Sequence, residues 1–247
     1  MKKLLLTLSM LLGVNTSTVM AELTQTELHA TLSIVTNFIL GDSIVHNGTT
    51  YGTVTSPFTG KVWLDRNLGA HRVCTSFDDI QCYGDYYQWG RNFDGHQDSG
   101  SDITDTLATN VNDAGTRFII HSLNWASVDI NGSLREANWS KTDGSSVCPV
   151  GFRVSTMVEL SAELLDPGSA EIQNRDNAFA SFLKIPSAGQ RDILGSMRGV
   201  GIRGNLWTKS VDNVKSHRLF FNSSLVKKIF DARAFGFSVR CIRSLTQ

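Results

Sequence analysis

Four cysteines place the strongest constraint on the fold of this chain. They are Cys74, Cys82, Cys148 and Cys241. An even number of cysteines in an exported chain indicates disulfides, and four cysteines allow three connectivities. Cys74 and Cys82 are close in sequence across a polar, turn-like stretch, where a local bridge forms easily, and this would leave Cys148 to pair with Cys241. A zinc site is the alternative, but no C-x-x-C pair supports it.

The N-terminal residues indicate export. Lys2 and Lys3 precede an apolar stretch over residues 4–14, and the residues up to Ala21 suit cleavage before Glu22. This pattern predicts a signal peptide over residues 1–21, because the apolar run is too short to cross a bilayer. No later apolar run is long enough either, so we expect no transmembrane segment. We therefore expect a periplasmic, cell-surface or secreted protein.

The charge balance limits the classes of partner. The chain has 23 basic and 23 acidic residues. This balance argues against a broad electrostatic surface for nucleic acid or anionic lipid, so we expect no nucleic-acid partner. Hydrophobic residues make up 41% of the sequence, which is enough to build a core.

Local patterns predict short strands and long loops after an N-terminal extension over residues 22–42. Asn47-Gly48 between two short apolar runs predicts a β-hairpin, and residues 61–64 predict a further strand. Residues 78–105 predict a long ordered loop, because their aromatic side chains supply burial. Those aromatic side chains are Tyr83, Tyr86, Tyr87, Trp89 and Phe93.

The second half of the chain predicts two main helices followed by strands. Thr156 and Glu159 form a capping box at the start of a helix that residues 166–168 end. A second helix is expected over about residues 172–183, and strands are expected around residues 206–209, 218–221 and 237–242. Residues 43–247 are therefore predicted to form one α+β domain with short strands, two main helices and long ordered loops.

Three sequence blocks resemble a known family. They read GKVWLDRNLGA at residues 60–70, CYGDYYQWGR at 82–91, and CPVGFRVST at 148–156 with SVRCI at 238–242. Together they resemble the Fibrobacter succinogenes major paralogous domain (FISUMP) family, which is similar to the C-type-lectin-like fold and to formylglycine-generating enzymes. The resemblance implies a C-type-lectin-like domain in which Cys148 is bridged to Cys241 in the last strand.

The resemblance implies the fold but argues against the enzymatic activity of those relatives. Formylglycine-generating enzymes use a pair of cysteines late in the chain to hold copper, and no cysteine lies between Cys148 and Cys241. Neither a G-x-S-x-G motif nor an H-E-x-x-H motif occurs, and the six histidines stand in no recognisable catalytic setting. We therefore assign no catalytic residue, and a secreted enzyme of unknown reaction is kept as an alternative.

Side chains inside the three blocks are expected to build the framework. Trp63, Tyr87 and Trp89 are expected in the core. Two arginines of the blocks, Arg66 and Arg91, are expected to pair with buried carboxylates or carbonyls, and Asp65 and Asp85 are candidate partners.

Calcium is the one cofactor that the composition supports. Aspartate oxygens suit this hard cation, although the spacing matches no EF-hand loop. Solvated turns held by aspartate hydrogen bonds are the simpler explanation. The candidate ligands are Asp78, Asp79, Asp94, Asp98, Asp102 and Asp105.

The candidate ligand-binding residues lie in the segment over residues 199–222. This segment combines polar and aromatic side chains, which is typical of surfaces that recognise sugars or proteins, although an ordinary solvated loop would have a similar composition. The sequence therefore predicts an exported binding module for an extracellular glycan or protein, with a role in adhesion, and a structural cell-envelope protein is a further alternative. The candidates are Arg203, Asn205, Trp207, Lys209, Asp212, Asn213 and His217.

Overall fold

A computed structural model describes residues 43–244. The predicted signal peptide over residues 1–21 and the predicted extension over residues 22–42 lie outside the described residues. The described part contains three α-helices and fifteen short strands, most of them paired antiparallel, which confirms the α+β class.

Two hairpins open the described part. Strands β1 (Ile44–His46) and β2 (Thr49–Tyr51) form the hairpin that the sequence predicted at Asn47-Gly48, and Ile44 lies opposite Tyr51. Their turn needs two residues with positive φ, and Asn47 (φ 47°) and Gly48 (φ 76°) supply them. Strand β3 (Thr53–Thr55) then pairs with β4 (Val62–Leu64).

The first and third sequence blocks meet in one sheet. Strand β8 (Phe152–Val154) and the last strand, β15 (Cys241–Arg243), join the second hairpin in the order β3-β4-β15-β8. Ile242 lies opposite Trp63 on one side and opposite Arg153 on the other. Blocks that are far apart in sequence therefore build the same part of the core.

A three-stranded antiparallel sheet follows late in the chain. It consists of β11 (Gly204–Asp212), β12 (Lys215–Phe221) and β13 (Val226–Ala232). One of its faces contributes Leu206, Leu219 and Phe221 to a buried cluster, and the other face contributes Trp207 to the largest cluster. The sheet is thus covered on both sides near the start of β11.

The remaining strands are very short. They are β5 (Tyr87–Gln88), β6 (Ile103–Thr104), β7 (Phe118–Ile119), β9 (Gln190–Arg191), β10 (Met197–Arg198) and β14 (Gly236–Phe237). The predicted strand over residues 237–242 is therefore divided between β14 and β15. Within the predicted loop region, Phe93 is exposed instead of buried.

The capping box is confirmed as the start of a helix. The three helices are α1 (Ser133–Ser140), α2 (Met157–Leu164) and α3 (Arg175–Ala180). At α2, the Thr156 side chain accepts the Glu159 backbone N–H, and the Glu159 side chain accepts the Thr156 backbone N–H. Helix α3 is shorter than predicted because it begins after Asn174 and the backbone becomes extended at Ser181. Helix α1 was not predicted.

Both expected disulfides are present. Cys74 is bonded to Cys82, and Cys148 is bonded to Cys241. The long bridge joins the segment before β8 to β15 and lies in the largest buried cluster. Among the helices of residues 43–244, none has the length and apolar character needed to cross a membrane.

The tryptophans belong to the interior. All five are fully buried, and every indole N–H donates a hydrogen bond within the chain. The core positions expected for Trp63, Tyr87 and Trp89 are confirmed. The tryptophan rings therefore serve packing and leave ligand contact to other side chains. The five are Trp63, Trp89, Trp125, Trp139 and Trp207.

Arginines are buried beside these rings. Arg135 is fully buried, forms an ion pair with Asp129 at 3.0 Å, and lies over the rings of Trp89 and Trp125. A delocalised guanidinium tolerates such a site because its flat faces stack on aromatic rings while its edges donate hydrogen bonds. These contacts attach α1 to the core.

Of the two framework arginines, one pairs with its expected carboxylate and the other pairs with a different carboxylate. Arg66 pairs with Asp65 at 2.8 Å, as expected. Arg91 pairs with Asp94 at 3.0 Å instead of with Asp85, because the turn after β5 brings the Asp94 carboxylate back to the guanidinium. This pairing leaves Asp85 available for other contacts.

Candidate functional site

Two of the predicted ligand-binding residues are interior residues. Trp207 is fully buried, and its Nε1 donates to the Tyr87 carbonyl at 3.0 Å. Asn205 is also buried, donates to the Gly189 carbonyl at 2.7 Å and accepts from Arg218. Neither side chain offers an atom to a ligand at the surface, so both are corrected to structural residues.

The other predicted ligand-binding residues do not converge on one place. They are distributed from Arg203, before β11, to the turn at Asp212 and Asn213, and β11 alone covers roughly 27 Å at a strand rise of about 3.3 Å per residue. Lys209 is half-buried, and its Nζ donates to Ser140 Oγ at 2.7 Å. Contact of a ligand with the predicted binding residues other than Trp207 and Asn205 stays a prediction. The imidazole of His217 packs edge-on against Phe230 on β13.

The six aspartates that were calcium candidates are not assembled into a cation site. Among residues 43–244, no group of three or more His, Cys, Asp or Glu side chains is arranged to hold a metal ion. Asp79 instead binds Arg72 and the Thr75 hydroxyl, and the Arg72 guanidinium holds the Asp79 pKa far below its usual range. Asp94 is likewise occupied by Arg91.

An open groove with two aromatic side chains lies between the β3–β4 turn and α3. Its volume is about 550 Å³. Phe58 is 44% exposed, and its ring centroid lies 6.1 Å from that of Phe182 in an edge-to-face arrangement. We name this surface the Phe58 groove. Its lining residues are Pro57, Phe58, Ala170, Glu171, Gln173, Asn177, Ala180, Ser181 and Phe182.

A buried carboxylate fixes the turn that carries Phe58. Glu163, on α2, is fully buried and accepts hydrogen bonds from the hydroxyls of Ser56 and Thr59 and from the indole N–H of Trp63. The Ser56 hydroxyl oxygen in turn accepts the backbone N–H groups of Phe58 and Thr59, each at 3.1 Å. The position of the Phe58 ring is therefore set before any ligand arrives.

The opposite wall of the groove presents amide side chains. Asn177 Oδ1 accepts the Gln173 backbone N–H at 3.3 Å, which orients the Asn177 amide. Glu171 has a positive φ of 45°, and its carboxylate accepts the Gly168 N–H at 2.9 Å. Within the described chain, neither Asn177 Nδ2 nor the Gln173 side-chain amide makes a hydrogen bond. These groups are free to bind a ligand.

A second, smaller cleft contains titratable groups. Its volume is about 210 Å³, and we name it the Asp85 cleft. The aromatic side chains on it are those of Tyr51, Tyr87 and Phe93, and its carboxylates are Asp85 and Asp98. The remaining lining residues are His46, Asn47, Thr49, Leu68, Gly69 and Gln97.

The Asp85 carboxylate of this cleft is held in place by its neighbours. The Tyr87 hydroxyl donates to it at 3.1 Å, and a Cβ atom at Gly69 would lie only 2.3 Å from its carboxyl carbon. Gly69 also has a φ of 77°, so glycine is required there for two reasons. Burial raises the pKa of Asp85 to about 6, with the Asp98 charge adding to the increase.

Comparisons with protein-family models, curated proteins and solved structures found no match for this chain.

Proposed function

We propose that this chain is an exported binding module of the C-type-lectin-like fold that recognises an extracellular glycan in the Phe58 groove. The observation that carries the proposal is the combination of two aromatic edges with unoccupied amide groups in an open groove of about 550 Å³. Exported proteins of this kind act at the periplasm, the cell surface or the medium, and adhesion is the role that fits glycan recognition.

Membership of the FISUMP family is part of the proposal. It rests on the three sequence blocks at residues 60–70, 82–91 and 148–156. The bridge between Cys148 and Cys241 in the last strand supports it, because the C-type-lectin-like fold has a disulfide at the corresponding place. Two disulfides also suit an oxidising compartment outside the cytoplasm.

The chemistry of the groove favours a sugar. The apolar faces of sugar rings pack on aromatic side chains such as Phe58 and Phe182, while hydroxyl groups exchange hydrogen bonds with amides such as those of Asn177 and Gln173. Among residues 43–244, no Lys or Arg lines the groove, so the groove does not select an anionic ligand. A turn held by Glu163 loses little conformational freedom on binding, which favours affinity.

The groove favours binding over catalysis. Of the described residues that line it, Glu171 alone carries a carboxylate, and hydrolysis of a glycosidic bond normally needs two carboxyl groups across the bond. A structural role in the envelope would predict a large exposed apolar patch at the groove, whereas amide and carboxylate groups occupy much of its lining.

The test is a glycan array with the oxidised protein from Glu22 onward, followed by calorimetry with the glycans that bind. We expect saturable binding that falls at least tenfold in Phe58→Ala and in Asn177→Ala. Phe230→Ala is the matched control, since this exposed ring lies outside the groove. Absence of saturable binding, or a bound glycan whose affinity is unchanged in Phe58→Ala, would refute the proposal.

A further inference from the structure

We propose that the Asp85 cleft is a second binding site, independent of the Phe58 groove, for the primary ammonium group of a compact polyhydroxylated ligand such as an amino sugar. The charge of the cleft, its hydrogen-bonding groups, their fixed positions and its size each support this assignment.

Within residues 43–244, no Lys or Arg lines the cleft to neutralise its carboxylates. The carboxylates are those of Asp85 and Asp98, and the imidazole of His46, which also lines the cleft, is hydrogen-bonded to the Val147 carbonyl. Arg66 lies over the Tyr51 ring at 5.8 Å, but its guanidinium is paired with Asp65. A ligand with one positive charge would therefore compensate negative charge that no Lys or Arg side chain lining the described cleft neutralises.

The hydrogen-bonding groups suit an ammonium group with hydroxyls beside it. An ammonium group has three donors and no acceptor, and the oxygens of Asp85 and Asp98 are acceptors. Gln97 adds a donor of a different kind. It is only 4% exposed, and its Oε1 accepts the backbone N–H groups of Asp94 and Gly95, at 3.3 and 2.9 Å.

These two bonds leave the Gln97 Nε2 group to the cleft. Within residues 43–244 it makes no hydrogen bond, although nearly all of the side chain is buried. A ligand hydroxyl or ring oxygen would accept from it. The cleft thus combines carboxylate acceptors for a cation with an amide donor for a neutral oxygen. A simple alkylamine would use the acceptors and leave the donor without a partner.

The groups of the cleft are held in place. Tyr87 and Gly69 fix the Asp85 carboxylate, as described above. The β1–β2 hairpin contributes His46, Asn47 and Thr49 to the cleft, and the His46 ring is hydrogen-bonded to the Val147 carbonyl at 2.8 Å. A preorganised site of this kind loses little freedom on binding.

The size and composition of the cleft restrict the ligand. A volume of about 210 Å³ accommodates one sugar ring and not a longer chain. A divalent metal ion is a poor alternative, because it requires several charged ligands, and no group of three His, Cys, Asp or Glu side chains in the described residues is arranged to hold one.

The test is titration calorimetry of the oxidised protein at neutral pH with glucosamine, glucose and N-acetylglucosamine. The three sugars share a ring, and only glucosamine carries an ammonium group. We expect saturable binding of glucosamine alone, weakened about tenfold or more in Asp85→Asn and in Asp98→Asn by loss of a charged hydrogen bond. Asp105→Asn, at an exposed aspartate outside the cleft, should bind like the unmodified protein.

Three results would overturn the inference. They are no saturable binding of glucosamine, equal binding of glucose, and unchanged glucosamine affinity in both Asp85→Asn and Asp98→Asn. Because Asp98 is exposed, its substitution does not threaten folding and keeps the test decisive. Retention of glucosamine binding in Phe58→Ala would separate this site from the Phe58 groove, so that either proposal can fail alone.

Discussion

The imidazole of His96 lies with its Nδ1 atom 2.5 Å from a carboxylate oxygen of Asp94. Its Nε2 atom accepts the backbone N–H of Gln88 at 3.0 Å, so the ring carries its proton on Nδ1 and donates it to Asp94. The pair resembles the base and orienting acid of a hydrolase. Because Nε2 already has a backbone partner and the ring is fully buried, the pair is structural.

This arrangement predicts a loss of stability in mild acid. Burial lowers the pKa of His96 to about 4, whereas an unfolded histidine titrates near 6.5. Between these values the unfolded chain takes up a proton that the native chain does not, so the free energy of unfolding falls as the pH decreases from 6.5 towards 4. We expect His96 to contribute roughly 2–3 kcal/mol to this fall.

Urea denaturation at intervals between pH 7 and pH 4.5 measures the effect. His96→Gln should flatten the pH dependence, whatever its effect on stability at pH 7. His217→Gln, which replaces a partly exposed imidazole, is the control for the substitution itself. Equal slopes in the unmodified protein and in His96→Gln would contradict the assignment.

Asp85→Asn should stabilise the protein above pH 6. Burial raises the pKa of Asp85 to about 6, so the native chain holds a proton more tightly than the unfolded chain does. Stability from this group is present at low pH and is lost as the pH rises from about 4 through 6. An asparagine removes the cost of the buried charge and can still accept from the Tyr87 hydroxyl.

We expect a gain of about 1–2 kcal/mol at pH 8, discounted because the side chain is partly solvated, and little gain at pH 4.5. Thermal or urea unfolding at the two pH values measures it, with Asp105→Asn as the control. A gain at pH 8 accompanied by weaker glucosamine binding would be the expected trade between stability and function. A loss of stability at pH 8 would show that the charge is better compensated than its burial implies.

Glu163→Ala should destabilise the protein and loosen the Phe58 turn together. The substitution leaves the buried Trp63 indole N–H and the Ser56 hydroxyl without their acceptor, at an expected cost of about 3 kcal/mol in unfolding free energy. Amide hydrogen exchange at Phe58 and Thr59 should become faster, because the Ser56 hydroxyl that binds both amides is no longer held. Val158→Ala, an exposed change on the same helix, should do neither.

The two disulfides should differ in their contribution to stability. The bridge between Cys74 and Cys82 closes a sequence separation of 8, and that between Cys148 and Cys241 closes one of 93. Chain entropy alone predicts losses of about 2.5 and about 4.7 kcal/mol when each pair is replaced by alanine. Denaturation of the two double variants measures the losses, and a larger loss from the short bridge would show that local packing outweighs loop closure.

Local chemistry made much of the fold predictable. The Asn47-Gly48 turn, the capping box at Thr156 and the disulfide pairing each depend on a few adjacent residues or on a small number of alternatives, and all were confirmed. Helix α1 was missed because its stability comes from tertiary contacts. Its Arg135 is buried between two tryptophan rings and paired with Asp129, so an arginine that looks exposed in sequence is an interior residue.

The candidate sites were less predictable. Trp207 and Asn205 have the residue types of a ligand surface, but the sheet that contains them is covered on both faces, and single-sequence patterns do not reveal a second covering layer. The Phe58 groove combines a turn near residue 58 with residues 170–182, which meet only in the folded chain. The one sequence signal was an aromatic residue between Pro57 and Thr59, where a solvated turn would normally be polar.

The position of β15 has a consequence for the order in which the protein can form during its synthesis. Strands β4 and β8 have β15 as their common neighbour, and β15 is the last strand of the described chain. Until residues 241–243 have emerged, the two earlier strands have nothing between them on which to close, and contacts between such distant segments are slow to form. A nascent chain of this topology keeps this sheet open until residue 243 has been made, and an open chain is the state that threading through a narrow channel requires.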